Sequence, residues 1–225
     1  MDVAVQGESP WRASRYRKFD AAVKREAVLR EAARTFNEKG FHATSLDHIA
    51  LRLQVTKPTL YYYFHSKEDI LYECLMKGLG ELERTADRAQ AMAGSGRDKL
   101  IAVMRDYAGI VLGDFGLCIV RVGQDPLGPR LRAQARRVES RAAHKLQRLI
   151  AEGISDGSIA PCDPKIMAST FAGALNWITR WYRPDGALSA EAITQQCIDM
   201  LLNGFAPRKG EAAGVMPRRR GAKKS

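Results

Sequence analysis

At 225 residues, 45% apolar and 27% charged, the chain has the composition of an ordinary soluble protein, with ample apolar material for one large or two modest folded units. The net charge of +11 is less ordinary and is segregated: residues 1–67 carry 12 Lys and Arg against 7 Asp and Glu, residues 207–225 carry 7 against 1, and the 17 of each sign between them cancel. That segregation argues against a merely solubilising charge, and the lack of an 18-residue apolar run or a signal-peptide core argues against a membrane or secreted protein, so a cytoplasmic one is expected.

Residues 1–18 hold Gly7, Ser9, Pro10 and Ser14 and little apolar periodicity. A flexible arm is expected, made cationic by Arg12, Arg15, Arg17 and Lys18, which either adds DNA contacts or touches nothing. From about Phe19 to Lys39 the stripe Val28, Leu29, Ala32, Ala33 and Phe36 predicts a long helix, with Gly40 placed for a left-handed cap. Leu46, Ile49, Ala50 and Leu53 predict a short helix capped by Ser45 or Thr44. After a turn at Gln54-Val55-Thr56 a second short helix is expected, with Thr56 as its cap and Pro58 in its first turn. Leu60 and Phe64 face inward there, leaving Lys57, Thr59, Tyr61, Tyr62 and Tyr63 largely outside. Two short helices around a tight turn form a helix-turn-helix, whose second helix enters the DNA major groove by its N-terminal end. The long helix lies behind the pair and completes a small core with Phe41, Ile49, Val55 and Leu60.

Ser66-Lys67-Glu68-Asp69 opens the next helix in the form of a capping box, and the apolar series Ile70, Leu71, Leu75, Leu79 and Leu82 carries it to about Ala91. Further helices are predicted near Arg97–Leu112, Phe115–Val122 and Arg130–Gly153, the last strongly basic. Asp163-Pro164 starts another that runs through Trp181, and Ser189 starts a final one through Leu202. From Pro207 the chain is rich in Gly, Pro, Lys and Arg, and disorder is expected. The fold class is therefore all-α: a three-helix DNA-binding domain over 19–67, a larger helical domain over 68–206, a basic arm before and a basic tail after.

Cys74, Cys118, Cys162 and Cys197 are far apart and sit among apolar neighbours, so buried thiols rather than metal ligands are expected. The four histidines are scattered and no catalytic motif appears, so neither an enzyme nor a metal or cofactor is predicted.

The run G-F-H-A-T-S-L-D-H-I-A, followed by V-T-K-P-T-L-Y-Y-Y-F-H-S-K-E-D, resembles the DNA-binding head of TetR-family repressors over about residues 24–75. The resemblance implies a three-helix reading head on a variable helical body that binds a small effector and dimerises. The departure is Gln54, where the family most often has Gly; a left-handed Gln costs roughly 1 kcal/mol. Leu175–Gly186, with Trp177, Trp181 and Tyr182, is similar to a segment of family members that regulate fatty-acid, sterol-ring and aromatic-acid degradation, several of which respond to acyl-CoA thioesters. Some of those place an Arg where this chain has Gly173.

What the resemblance implies for DNA is contact through Ser45, Lys57, Thr59, Tyr61 and Tyr62, with Tyr63 and Lys67 as phosphate clamps. Lys57 can donate to guanine O6 and N7. For the effector it implies a site built from Met104, Tyr107, Phe115, Cys118, Phe171, Trp177 and Trp181; aromatics at helical spacing also read as plain core. The arginines of the basic helix, Arg130 to Arg141, read either as a solvated face or as a site for a CoA diphosphate. Dimerisation is expected through the last two helices, to match a palindromic operator. The expected function is a ligand-responsive repressor; the alternatives are a ligand carrier or enzyme with an incidental basic end, and an activator or effector-free DNA binder.

Overall fold

The computed structural model describes residues 19–183 and 185–204. The basic arm and tail lie outside the described residues. Within them the chain forms helices α1 (Phe19–Lys39), α2 (Leu46–Leu53), α3 (Lys57–Tyr63), α4 (Lys67–Ala91), α5 (Gly96–Leu112), α6 (Asp114–Arg121), α7 (Pro129–Ser155), α8 (Pro164–Trp181) and α9 (Ala190–Asn203), with no strand among the described residues.

Capping chemistry accounts for most of these boundaries. Ser45, Ser66, Ser95, Asp163 and Ser189 each turn a side-chain oxygen onto first-turn N–H groups of α2, α4, α5, α8 and α9. Helices α6 and α7 start at Gly113 and Gly128, which have no side chain to give, and Thr56 has one that it does not use as a cap. It precedes α3 but makes no cap bond, because its hydroxyl pairs with that of Thr59 at 2.9 Å. Thr44, the other candidate cap of α2, is buried and donates to the Gly40 carbonyl at 2.8 Å. Gln54 closes α2 at φ 57, ψ 41, and its N–H bonds back to Leu51 at 3.1 Å, so the left-handed turn is made without glycine.

Helices α1–α3 make a head and α4–α9 a body, yet their apolar core is continuous. Val28, Leu29, Phe36, Ile49 and Leu60 pack in one cluster with Ile70, Leu71, Leu75 and Cys118 of the body. A second cluster, with Leu100, Met104, Ile150, Phe171, Leu175 and Ile178, lies deeper between α5, α7, α8 and α9. Helix α6 touches α1, α4, α5 and α8 and so lies at the junction. Its approach to α5 requires Gly116, where a Cβ would fall 2.0 Å from the Ile110 carbonyl oxygen. Of the cysteines expected to be buried, Cys74 and Cys118 are and Cys197 is half-buried; Cys162 is exposed in the link between α7 and α8, too short a loop to cover it.

Candidate DNA-reading surface and effector pocket

Helix α3 has only seven residues, too short to hold itself, and its position is set by its neighbours. Leu60 and Phe64 are its buried anchors, and the Arg25 guanidinium stacks 4.7 Å from the Phe64 ring. Helix α2 is tied to α1 by Arg52, which pairs with both Glu31 and Glu38; these hydrogen bonds hold the Arg52 charge more firmly and lower the Glu38 carboxyl below its usual range.

On the outward face Tyr62 is 80% exposed and Tyr61 is also exposed, whereas Tyr63 is half-buried, packed on the head core and edge-on to Tyr62 at 5.0 Å. Thr59 is half-buried with its hydroxyl on Thr56, and Ser45 Oγ accepts from the His48 N–H at 3.1 Å while keeping its own proton to donate. Lys57 Nζ is 2.8 Å from Asp47 Oδ2, and that hydrogen bond raises its pKa.

Lys67, expected as a phosphate clamp, makes its contacts within the protein. Its ammonium donates to the carbonyls of Phe41 and Thr44, both at 2.7 Å, and lies 4.2 Å from the centre of the Phe41 ring. Partial burial lowers its pKa. In this arrangement it braces the loop before α2 against the start of α4. The sequence shows the charge but not the two carbonyls that take it up.

The residues expected to form one effector site do not come together at one place. A cavity of about 210 Å³ lies among α4–α8, with Leu79, Val103, Ile119, Leu146 and Ala172 among its apolar walls and Tyr107, Glu139, Gln147, Ser169 and Asn176 as its polar lining. Tyr107 Oη donates to Asn176 Oδ1 at 2.9 Å, and burial pushes the phenol up to about 12, so it is a neutral donor at any physiological pH. Met104 and Phe171 line a small gap that also touches Tyr107. Phe115 does not join them: it faces an open charged cleft between head and body. Cys118 lies in the core beneath α1, its thiol 3.8 Å from the Ala33 carbonyl, with burial raising its pKa to about 12. Trp177 and Trp181 are 65% and 49% exposed, because α8 turns Phe171, Leu175 and Ile178 inward and these two outward. The residues that sequence reasoning missed in the cavity include the aliphatic Leu79, Val103, Ile119, Leu146 and Ala172 and the polar Glu139, Gln147 and Asn176; aliphatic side chains carry no signal that separates a wall from a core, and polar ones on a helix read as a solvated face.

Of the arginines expected on α7, Arg141 pairs with Glu83 at 3.0 Å and Arg132 donates to the carbonyls of Gln124 and Asp125, while Arg130, Arg136 and Arg137 are exposed. Among the described residues no group of three or more His, Cys, Asp or Glu could hold a metal ion, and no helix is long and apolar enough to cross a membrane.

A three-helix head whose short third helix presents exposed lysine and tyrosines, set on an all-α body with an internal cavity, defines a helix-turn-helix regulator. Residues 28–74 match the family described as bacterial regulatory proteins, tetR family, and residues 93–205 match the tetracyclin repressor-like C-terminal domain; the chain belongs to the TetR family. It is 29% identical to the HTH-type transcriptional repressor KstR2 of Mycolicibacterium smegmatis over 205 residues, 84% of this chain and 94% of that one. Among solved structures it resembles the TetR family transcriptional regulator PfmR from Thermus thermophilus, at 30% identity and TM-score 0.73 over 80% of this chain and 99% of that one. It also resembles AibR crystallised with isovaleryl coenzyme A and operator DNA, at 28% identity and TM-score 0.72 with the same coverage. The family is one of transcription regulators, not of enzymes.

Proposed function

We propose that this protein is a ligand-responsive repressor of the cytoplasm that binds a palindromic operator as a homodimer and leaves it when a small, largely apolar effector occupies the cavity. The observation that carries this reading is that the cavity walls and the supports of the head are the same helices. Leu79 of α4 and Ile119 of α6 line the cavity, α4 begins at the Lys67 brace, and α6 holds α1 through Arg34–Asp114 at 3.0 Å and Asn37 donating to the Asp114 carbonyl at 2.9 Å. An effector that displaces α4 and α6 therefore changes the pose of α1–α3, and shifts the population toward head spacings that no longer match successive major grooves.

Cavity size supports a small apolar group. A void of about 150 Å³ accommodates benzene, so 210 Å³ admits a short branched acyl group or one ring. The Tyr107 hydroxyl and Asn176 amide at its edge suit a carbonyl. A short-chain acyl-CoA is the first class to test, in keeping with the ligand of AibR; a sterol nucleus fits only if the walls rearrange. Ser45, Lys57, Thr59, Tyr61 and Tyr62 are the proposed operator contacts. For the dimer, Ile166, Gly173 and Trp177 recur along one exposed face of α8 beside Trp181, with exposed Met200 on α9.

Thermal shift against short, medium and long acyl-CoAs, sterol-ring thioesters and aromatic acids tests the effector. Stabilisation by short acyl-CoAs that is lost in Ala172→Leu is expected, and no response to any acyl-CoA by a protein that still binds DNA would sink the thioester reading. Sedimentation of Trp177→Arg/Trp181→Arg tests the dimer: a monomer is expected, and an unchanged dimer moves the interface elsewhere.

A further inference from the structure

A carboxylate is out of place on a surface that meets a polyanion, yet Asp47 stands beside the leading residue of the recognition helix. It is the second residue of α2, and Lys57 is the first of α3, so the two helix starts meet at this ion pair. Both side chains are open to solvent, Asp47 at 64% and Lys57 at 43%. Bracing is a weak reason for the pair. An exposed ion pair adds little to stability, and α2 and α3 are already fixed by Arg52, Leu60 and Phe64.

What the pair offers is a donor and an acceptor at fixed separation. Nζ and Oδ2 are 2.8 Å apart. On the major-groove edge of a G·C pair, guanine O6 accepts and cytosine N4 donates, and the two are hydrogen-bonded to each other at about 2.9 Å. The protein pair therefore matches the base pair atom for atom: the ammonium over O6, with N7 as a second acceptor, and the carboxylate on the N4 amine. An A·T pair also has a donor beside an acceptor. There the ammonium meets a single thymine O4 flanked by a methyl group, whereas guanine presents two acceptors together.

We propose that Asp47 and Lys57 act as one reading unit that selects a G·C base pair in each operator half-site, with guanine under Lys57 and cytosine under Asp47. This rests on the DNA-reading role proposed above for the head. It makes Asp47 a specificity residue, with its carboxylate neutralised by the neighbouring ammonium until the cytosine amine takes it up.

The test is selection of bound duplexes from a randomised double-stranded pool by the full-length protein, compared among wild type, Asp47→Ala, Asp47→Asn, Lys57→Ala and the double variant Asp47→Ala/Lys57→Ala. Wild type should enrich a palindrome with an invariant G·C in each half. Asp47→Ala and Lys57→Ala should each relax that same position by about tenfold or more and leave the others intact, Asp47→Asn should relax it less because its amide oxygen still accepts from N4, and the double variant should relax it no further than the stronger single, as coupled residues do. Unchanged melting of each variant, followed by circular dichroism, separates misreading from misfolding; a variant that melts early is replaced by its Asn or Met counterpart. The unit is overturned if Asp47→Ala and Asp47→Asn tighten binding to all sequences with the profile unchanged, or if the Asp47 and Lys57 variants relax different positions. A wild-type protein that enriches no sequence overturns the DNA-reading assignment itself, and the unit with it.

Discussion

Helix α3 in the head rests on Leu60 with Phe64 just beyond its end, and most of its other side chains face outward; α8 in the body buries Phe171, Leu175 and Ile178 and still leaves Trp177 and Trp181 uncovered. The short helix has little apolar area of its own, and the head it belongs to is held by polar braces: Arg52 ties α2 to Glu31 and Glu38 of α1, and Lys67 ties the loop before α2 to α4 through the carbonyls of Phe41 and Thr44. The long helix has area to spare, and α5, α7 and α8 together leave a cavity between them. One region is therefore sensitive to the loss of hydrogen bonds and single anchors, the other to changes of volume.

The largest break in that contrast should come from Leu60→Ala. Losing a buried leucine side chain costs about 3 kcal/mol, and α3 has no other fully buried residue of its own. Hydrogen exchange should show amides 46–63 unprotected while those of 164–181 stay protected; equal loss in both would mean that head and body unfold as one. Lys67→Met keeps the stem and removes the ammonium, and two charge-assisted bonds to carbonyls make a loss of about 2 kcal/mol reasonable for a half-buried site. Operator affinity should fall while the dependence of log K on log salt keeps its slope; a slope smaller by about one would show that Lys67 turns to a phosphate when DNA is bound. Gly78→Ala is milder. Its Cβ would lie 2.7 Å from Ile119 Cδ1 and 3.0 Å from the Phe115 carbonyl oxygen, and overpacking there offsets a helix-propensity gain of about 1 kcal/mol. Melting should move little, and binding should weaken without effector because α6 is pushed from α4. The smallest effect is on titration. The Tyr107 phenol ionises in the unfolded chain at its ordinary value but at about 12 in the fold, so its contribution is complete below pH ~10 and declines as pH rises toward 12. Tyrosinate absorbance should show one late-titrating group that is absent in Tyr107→Phe.

Helix starts were legible in the sequence because a cap residue is a local matter: Ser45, Ser66, Asp163 and Ser189 stand where α2, α4, α8 and α9 begin. The left-handed Gln54 was legible for the same reason. The cavity was not. Helix α8 carries two apolar stripes, one through Phe171, Leu175 and Ile178 and one through Ile166 and Trp177, and periodicity cannot say which of them finds cover within the chain. Phe115 and Cys118 follow α5 closely in sequence, but α6 turns them toward the head. The Lys67 brace and the Asp47–Lys57 pair join residues on different elements, and only the packing of those elements reveals them.

The eight residues of α6 reach all three parties to the proposed switch. Asp114 meets the head, Ile119 the cavity, and Arg121 donates to the Thr179 carbonyl of α8 at 2.7 Å, on the helix that carries Trp177. One short rod shared in this way makes the bargain reciprocal. Whatever factor the effector takes from operator affinity, operator DNA must take from effector affinity, and pairing of two protomers should alter both. Titrating effector into the protein with and without duplex would measure that factor from the side of the small molecule.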